Sequence, residues 1–313
     1  MKAVHLKPLS SFNNPFQPSD TLFGAICWGI KFIHGEEELE SILKGFKEGS
    51  PPFKISSTFP FKGETYYLPV PIKSTFSDEK PNDFKDMWEI KEAKKRKWIP
   101  LKEFNELINA DKKLEDVLKN SEERKFVKDM IQPGNSINRL SSATEGNLFF
   151  RSVFRHSEGT ELYFLLEADD EKIENEVING LRFIEDKGLG GGSSTGHGNF
   201  EIKDVKEFDE LKESEKAQRF MTLSLYMPDD EWDDFLERSD EMSYRLVKRK
   251  GVVEEAFSAF NNPWKKTVFM FTPGSVFPVI DGKDHYGKNP VVNSDEFDVQ
   301  QYGYAFDIGV DLK

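Results

Sequence analysis

The 313-residue sequence predicts an α+β protein: a βαββαβ unit with a large helical insertion, followed by a second, degenerate cycle of the same kind. Three observations predict it. Alternating apolar stretches and two apolar stripes at helical spacing succeed one another as strand, helix, strand pair, helix, strand. Six glycines crowd into the eleven residues Gly188 to Gly198, between the second helical stripe and the last strand. After the acidic segment Glu207 to Glu215, strand-like stretches begin again at Gln218.

Taken in order, residues 2 to 9 alternate and form the first strand. SSFNNPFQP is a turn-rich loop, and Ser19-Asp20-Thr21 offers helix N-cap chemistry with early negative charge. Leu22, Phe23, Ile26, Cys27, Ile30 and Ile33 follow at helical spacing, which makes Cys27 a core residue. A second short helix runs to Phe46. Residues 53 to 71 form a hairpin turning at Lys62-Gly63-Glu64, with Lys54 and Lys62 as ordinary solvated charges. Residues 73 to 135 are an insertion. It contains the most basic run of the chain, Lys91 to Lys97 beside Trp98, and a helical pattern from Glu103 to Ile131 that Gln132-Pro133-Gly134-Asn135 ends. That basic run is most simply a solvated helix end, although lysines beside an aromatic can also hold a nucleic-acid backbone and stack a base.

Next comes a polar stretch with Arg139, Ser141 and Ser142, and then two strands joined at His156–Thr160. Arg151 and Arg155, four apart on the first of these strands, share one face. Ile173 to Ile184 forms the second helix, and residues 199 to 208 the closing strand. This order is that of a ferredoxin-like (RRM-like) unit spanning residues 1–210, with its insertion at about 73–135. Residues 216–313 repeat the cycle without a visible second helix.

The glycine run carries the candidate chemistry. No regular element tolerates that density, because glycine loses the most backbone freedom on folding. The run is kept where backbone must reach positive φ or a bulky partner comes close. Gly188, Gly190, Gly191, Gly192 and Gly196 supply amides, and Ser193, Ser194 and Thr195 supply hydroxyls, for phosphate oxygens. His197 and Gly198 occupy the Lys and Ser/Thr places of a P-loop pattern, and Ser193 breaks a G-x-G-x-x-G pattern, so the loop is not a standard nucleotide cradle.

Composition narrows the classes further. Hydrophobic residues are 37% and charged residues 32%, no apolar run is long enough to span a bilayer, and the N-terminus lacks the apolar core of a signal peptide, so a cytoplasmic location is expected. The lone cysteine excludes an internal disulfide and a cysteine-based zinc site, and no cofactor or metal is expected. A net charge of −13 argues against indiscriminate nucleic-acid binding but leaves room for a local basic groove, since salt screens charges beyond roughly 10 Å.

These residues resemble a known family. A glycine loop after a helix in a tandem ferredoxin-like chain is similar to the RAMP superfamily of CRISPR RNA-binding proteins. Pro18 to Ile26 (PSDTLFGAI), Asn138-Arg139-Leu140-Ser141 with Leu148-Phe149-Phe150, and Lys265-Lys266 with Gly274-Ser275-Val276-Phe277 resemble, in that order, segments of the fourth subunit of the Csm (type III-A) effector complexes. The resemblance implies a non-enzymatic subunit that grips the 5′ handle of the CRISPR RNA and caps the helical backbone beside a neighbouring RAMP subunit. It also implies docking of the large catalytic subunit, which carries the cyclic-oligoadenylate and DNase activities. The family loop usually places a basic pair where this chain has Gly192 and Ser193, and often an Asp where Asn138 stands. Phosphate binding then rests on amides and hydroxyls, with Arg139, Arg151 and Arg155 supplying charge and Ser19 and Thr21 adding donors at the helix start. The hairpin around residues 148 to 165 is a candidate thumb bending the RNA.

Two rivals stand beside this. A metal-independent CRISPR-repeat endoribonuclease of the same superfamily needs a general base, for which His197 is placed in the loop. A small-ligand enzyme using Asp229-Asp230 and Asp233-Asp234 is weaker, because acids at a helix start are stabilised without any catalytic role.

Overall fold

In the computed structural model the described residues are 1–72, 95–120, 124–138, 140–253, 262–294 and 298–312. The N-terminal part is built on β1 (Lys2–Pro8), α1 (Ser19–His34), α2 (Glu36–Lys47), β2 (Phe53–Ile55), β3 (Phe59–Lys62), β4 (Thr65–Pro69) and β5 (Trp98–Pro100). Helices α3 (Leu101–Ile108) and α4 (Leu114–Asn120) follow, then β6 (Val127–Ile137), β7 (Thr144–His156), β8 (Thr160–Ala168), α5 (Glu171–Ile184) and β9 (Phe200–Glu207). Seven strands form one antiparallel sheet in the order β5-β4-β3-β8-β1-β9, with β2 also on β8. The first strand thus lies centrally between β8 and β9.

That position explains the unbroken burial of Ala3, Val4, His5 and Leu6. Both faces of the sheet are covered, so alternation along β1 and β8 sorts residues between two cores instead of between core and water. Val4, Leu6, Leu162, Phe164 and Leu166 meet the stripes of α1 and α5 (Leu22, Ile26, Ile30, Val177, Leu181). Ala3, Tyr163 and Leu165 meet Phe104 and Leu107 of α3 on the other side.

The C-terminal part comprises β10 (Arg219–Thr222), α6 (Trp232–Glu237), β11 (Leu246–Arg249), β12 (Val268–Phe271), β13 (Val276–Pro278), β14 (Val291–Asn293), β15 (Val299–Gln300) and β16 (Asp307–Val310). Strands β13-β10-β16 form a three-stranded antiparallel sheet. Met221, Leu223, Val276, Phe306 and Ile308 join the α3 side of the core, and Tyr302 and Tyr304 join the α1 side. The two halves therefore share both cores. Lys54, expected as a solvated charge, helps to join them: it is 14% exposed and pairs with Asp307 at 3.1 Å and Glu167 at 3.2 Å.

Three expectations are corrected. Residues 127–137 are strand β6, not the end of a helix: the i, i+4 spacing of Phe126 and Met130 mimics a helix stripe, yet β6 pairs with β7 in register from Val127↔His156 through Asn135↔Leu148. Pro133 sits inside this strand, which a free-standing two-stranded hairpin tolerates because proline has no N–H to lose from an outer edge. Second, β7 does not pair with β8; it pairs with β6, and β8 enters the main sheet. Third, Ser19-Asp20-Thr21 does not cap α1. Pro18 precedes the helix, its carbonyl accepts from the N–H groups of Thr21 and Leu22, and no side chain caps the end.

Instead those residues bind α1 to the C-terminal half. Ser19 is fully buried, its N–H donating to Ser57 Oγ at 3.1 Å and its Oγ accepting from Leu225 N–H at 2.9 Å. The Asp20 carboxylate receives both arms of Arg249 at 2.8 and 2.9 Å and the Gln301 amide at 2.8 Å, and Arg249 also donates to Thr21 Oγ1. Removing one partner of such a pair strands the other's charge. Asp20→Ala is expected to cost about 2 kcal/mol and to lower the melting temperature by roughly 4–8 °C, checked by scanning calorimetry against Asp20→Asn.

No helix among the described residues is long and apolar enough to cross a membrane.

Candidate nucleic-acid interface

The glycine run is folded. Helix α5 delivers it, with Asp170 capping the helix start through Ile173 N–H at 2.8 Å and Gly188 N–H closing its end on Ile184 O at 2.9 Å. Leu189 N–H then bonds Gly198 O at 2.8 Å and fastens the two ends of the loop together. Between them Ser193–Thr195 makes one turn of 3₁₀ helix, in which Thr195 and His197 N–H both bond Gly192 O. Gly198 has φ +81°, and a Cβ there would stand 2.2 Å from Leu189 O. The backbone itself demands glycine at that point.

This folding changes which amides can meet a ligand. The N–H groups of Gly188, Leu189, Thr195, Gly196, His197 and Gly198 are all spent inside the loop or on its supports. Those of Gly190, Gly191, Gly192, Ser193 and Ser194 have no such partner, so the donor surface narrows from the whole run to residues 190–194. Ser194, Thr195 and Gly196 are exposed, and Thr195 Oγ1 donates to Gly192 O at 2.8 Å.

The support is the segment between β1 and α1, whose part was not visible in the sequence. Gly198 N–H donates to Ser11 O at 2.9 Å, Asn199 N–H to Ser10 Oγ at 2.9 Å, and Ser11 Oγ bonds His197 Nδ1 at 2.9 Å. Gln17 lies 2% exposed beneath Gly190, and the Asn13 amide sits against Gly192. On its other side the same segment grips β7, Phe12 and Phe154 exchanging two backbone hydrogen bonds at 2.8 Å. A polar, turn-rich stretch thus joins the glycine loop to the β6–β7 hairpin.

That hairpin carries the arginines. Arg151 and Arg155 are both exposed, with Arg151 stacked over Phe149 at 4.8 Å. Arg155 lines a cleft of about 590 Å³ between the hairpin and the sheet edge, together with Lys7 and Lys203. Ile131, Leu148 and Phe150 stand 60–73% exposed along the hairpin, an apolar surface that a solvated ribbon has no reason to keep. Ser141 and Ser142 are exposed at its tip. Strand β7 begins at Thr144, ten residues before Phe154, roughly 33 Å at the usual strand rise, so the hairpin tip lies far from the segment that supports the glycine loop. Arg139 lies outside the described residues. Ser19 is withdrawn from the interface by its burial, and Thr21 is engaged by Arg249.

Three of the five histidines, His5, His156 and His197, are built into the fold. His197 is 5% exposed and braces the loop through Ser11. Burial lowers the pKa of His156, the bond from its Nε2 to Pro15 O opposing that. His5 is also lowered by burial, although Glu161 pulls the other way. Of the paired acids, Asp229 is engaged by Lys288 at 2.6 Å and Asp230 by Lys283, while Asp233 and Asp234 stand exposed in the first turn of α6.

Comparison with known proteins bears on the family of the chain. A family profile for the RAMP superfamily matches residues 2–201, and one for the CRISPR Csm4 C-terminal domain matches residues 215–310. The chain is 27% identical to the Csm4 protein of Thermococcus onnurineus over 315 residues, covering 99% of this chain and 96% of that one. It is 27% identical to the Csm4 protein of Streptococcus thermophilus over 232 residues, covering 72% and 70%. Its fold resembles a chain of a Csm3–Csm4 subcomplex of the type III-A interference complex (TM-score 0.67, 19% identity, 99% and 100% coverage). It also resembles a chain of a Csm1–Csm4 cassette in complex with pppApA (TM-score 0.64, 22% identity, 100% and 98% coverage). The chain belongs to the RAMP superfamily. Within that superfamily its C-terminal part and its relatives are similar to Csm4 proteins.

Proposed function

We propose that this chain is a non-catalytic, cytoplasmic RNA-binding subunit of a type III-A Csm effector complex. It grips the 5′ handle of the crRNA, caps the backbone against a Csm3-type RAMP subunit and docks a Csm1-type large subunit. The names of its relatives and the Csm1–Csm4 and Csm3–Csm4 assemblies that its fold resembles support the partners. We read residues 1–210 as one ferredoxin-like unit with an insertion and 216–313 as a degenerate second unit.

One observation carries the RNA reading. Five unspent amides at Gly190–Ser194 are held by the 9–17 segment beside a long hairpin with exposed arginines and apolar side chains. Amides take phosphate oxygens, arginines add charge, and apolar side chains take splayed bases, which is how single-stranded RNA is recognised. The thumb is then the β6–β7 hairpin, with Arg139 near its tip in sequence.

Filter binding with 5′-handle RNA tests this. Arg151→Ala with Arg155→Ala is expected to weaken binding about tenfold and to flatten the salt dependence by about 0.7 per lost phosphate contact. Unchanged affinity and slope would remove the hairpin from the interface. The same protein incubated with repeat RNA in chelator leaves the RNA intact on this reading; cleavage abolished by His197→Ala would establish the endoribonuclease instead.

A further inference from the structure

Only the end of the basic run before Trp98 lies within the described residues. Lys95 lies in a turn and Trp98 opens β5, while Lys91–Lys94 fall outside the described residues. Lys95, Arg96 and Lys97 line a cleft of about 650 Å³ that Arg245 completes from the C-terminal half, within the usual size range of small-ligand pockets. We propose that this cleft is a binding site for one unstacked nucleotide of single-stranded RNA. The proposal rests on the RNA-binding reading and adds a second place of contact to it.

Three features support a nucleotide. The described lining has four cations and no acid, in a chain whose net charge is −13. Among the described residues no ion pair engages Arg96, Lys97 or Arg245, and Arg96 Nη1 is buried with no hydrogen-bond partner. A buried guanidinium N–H left unpaired is costly, and a phosphate or base oxygen placed there satisfies it in the geometry that arginine recognises best. Third, the cleft has an aromatic wall. Trp98, half-buried, meets Phe16 edge-on at 4.7 Å and Phe59 at 5.8 Å, which offers a flat base a ring to lie against.

Position joins this site to the interface already described. Phe16 and Pro18 line the cleft, and Gln17 between them packs beneath Gly190, so the glycine loop and the cleft share one supporting segment. An acidic peptide of a partner subunit matches the charge but has no need of the aromatic wall.

The experiment uses the full chain and 5′-handle RNA carrying a single 4-thiouridine at successive positions. Cross-links at one position are expected on Trp98 or Phe16. Arg96→Gln with Arg245→Gln is expected to remove that cross-link, keep those to the glycine loop, and weaken binding about tenfold. Circular dichroism and melting temperature verify the fold; Arg245→Gln alone, at an exposed position, serves if the double variant is unstable. Wild-type affinity in the cleft variant, with binding still lost in the Arg151/Arg155 variant, overturns the cleft and leaves the RNA reading standing. Wild-type affinity in both variants overturns both. Unaltered RNA binding with loss of a co-purifying Csm subunit overturns the nucleotide in favour of the peptide.

Discussion

Gly198→Ala is expected to weaken the proposed binding of 5′-handle RNA well over tenfold while the rest of the protein stays folded. The added methyl has no room: its position is 2.2 Å from Leu189 O and 2.9 Å from Leu189 N, both backbone atoms, and the residue must hold φ +81°. The left-handed conformation alone costs a non-glycine residue about 1–2 kcal/mol, and the clash adds at least as much. Leu189 is the partner that closes the loop at 2.8 Å, so relief means opening the ends and releasing residues 190–194 from their arrangement. Binding to 5′-handle RNA should fall well over tenfold. Gly196→Ala is the control: it has the same φ of +81° but open space around its Cβ position, so it should cost only about 1 kcal/mol and spare most binding. Filter binding and calorimetry on both variants separate the contact from the conformation. Equal affinity of Gly198→Ala and the unaltered protein would remove the loop from the interface.

That loop was legible in the sequence because its glycine density has few other uses, and so were β1, α1, α2, α5 and β9, each with a strong period of its own. The support beneath the loop was not. Ser10, Ser11, Asn13 and Gln17 lie far from residues 188–198 in the chain, and a polar turn-rich stretch gives no sign of which backbone it will hold. The hairpin was misread for a different reason. Two strands adjacent in sequence are usually paired, but β8 is drawn into the centre of the main sheet by β1, β2 and β3, which leaves β7 to the strand before it. Ser19 shows the limit of local chemistry: a serine at a helix start suggests a cap, yet its hydroxyl is committed to Leu225 more than two hundred residues on. Arg249 likewise gave no signal from spacing that Asp20 was its partner.

The loop also depends on a contact buried in the helix layer, and Gly29→Ala tests that dependence. Helices α1 and α5 cross with Gly29 against Gly180, where a Cβ on Gly29 would stand 1.9 Å from Gly180 O and 2.4 Å from its carbonyl carbon. Ordinary contact begins near 3.4 Å, so α5 must move outward by about 1.5 Å or tilt. Both helices bury their stripes on β1 and β8, and overpacking of this kind costs about 3 kcal/mol, at the upper end of the usual range. A fall of roughly 6–12 °C in melting temperature is expected. The displacement does not stop at the core. Ile184 at the end of α5 holds Gly188 N–H, while the far end of the loop is held by Ser11 on the β1–α1 segment, so moving the helix pulls the two ends apart. Handle affinity should therefore fall several-fold in a variant whose altered residue is buried and faces no RNA. Amide exchange at Gly188 and Leu189 should quicken with it, since those two bonds carry the strain. Lys172→Ala, on the exposed face of α5, should alter neither affinity nor exchange. A Gly29→Ala protein with lowered stability but unchanged exchange and affinity would mean that the 9–17 segment alone positions the loop, and that α5 merely leads into it.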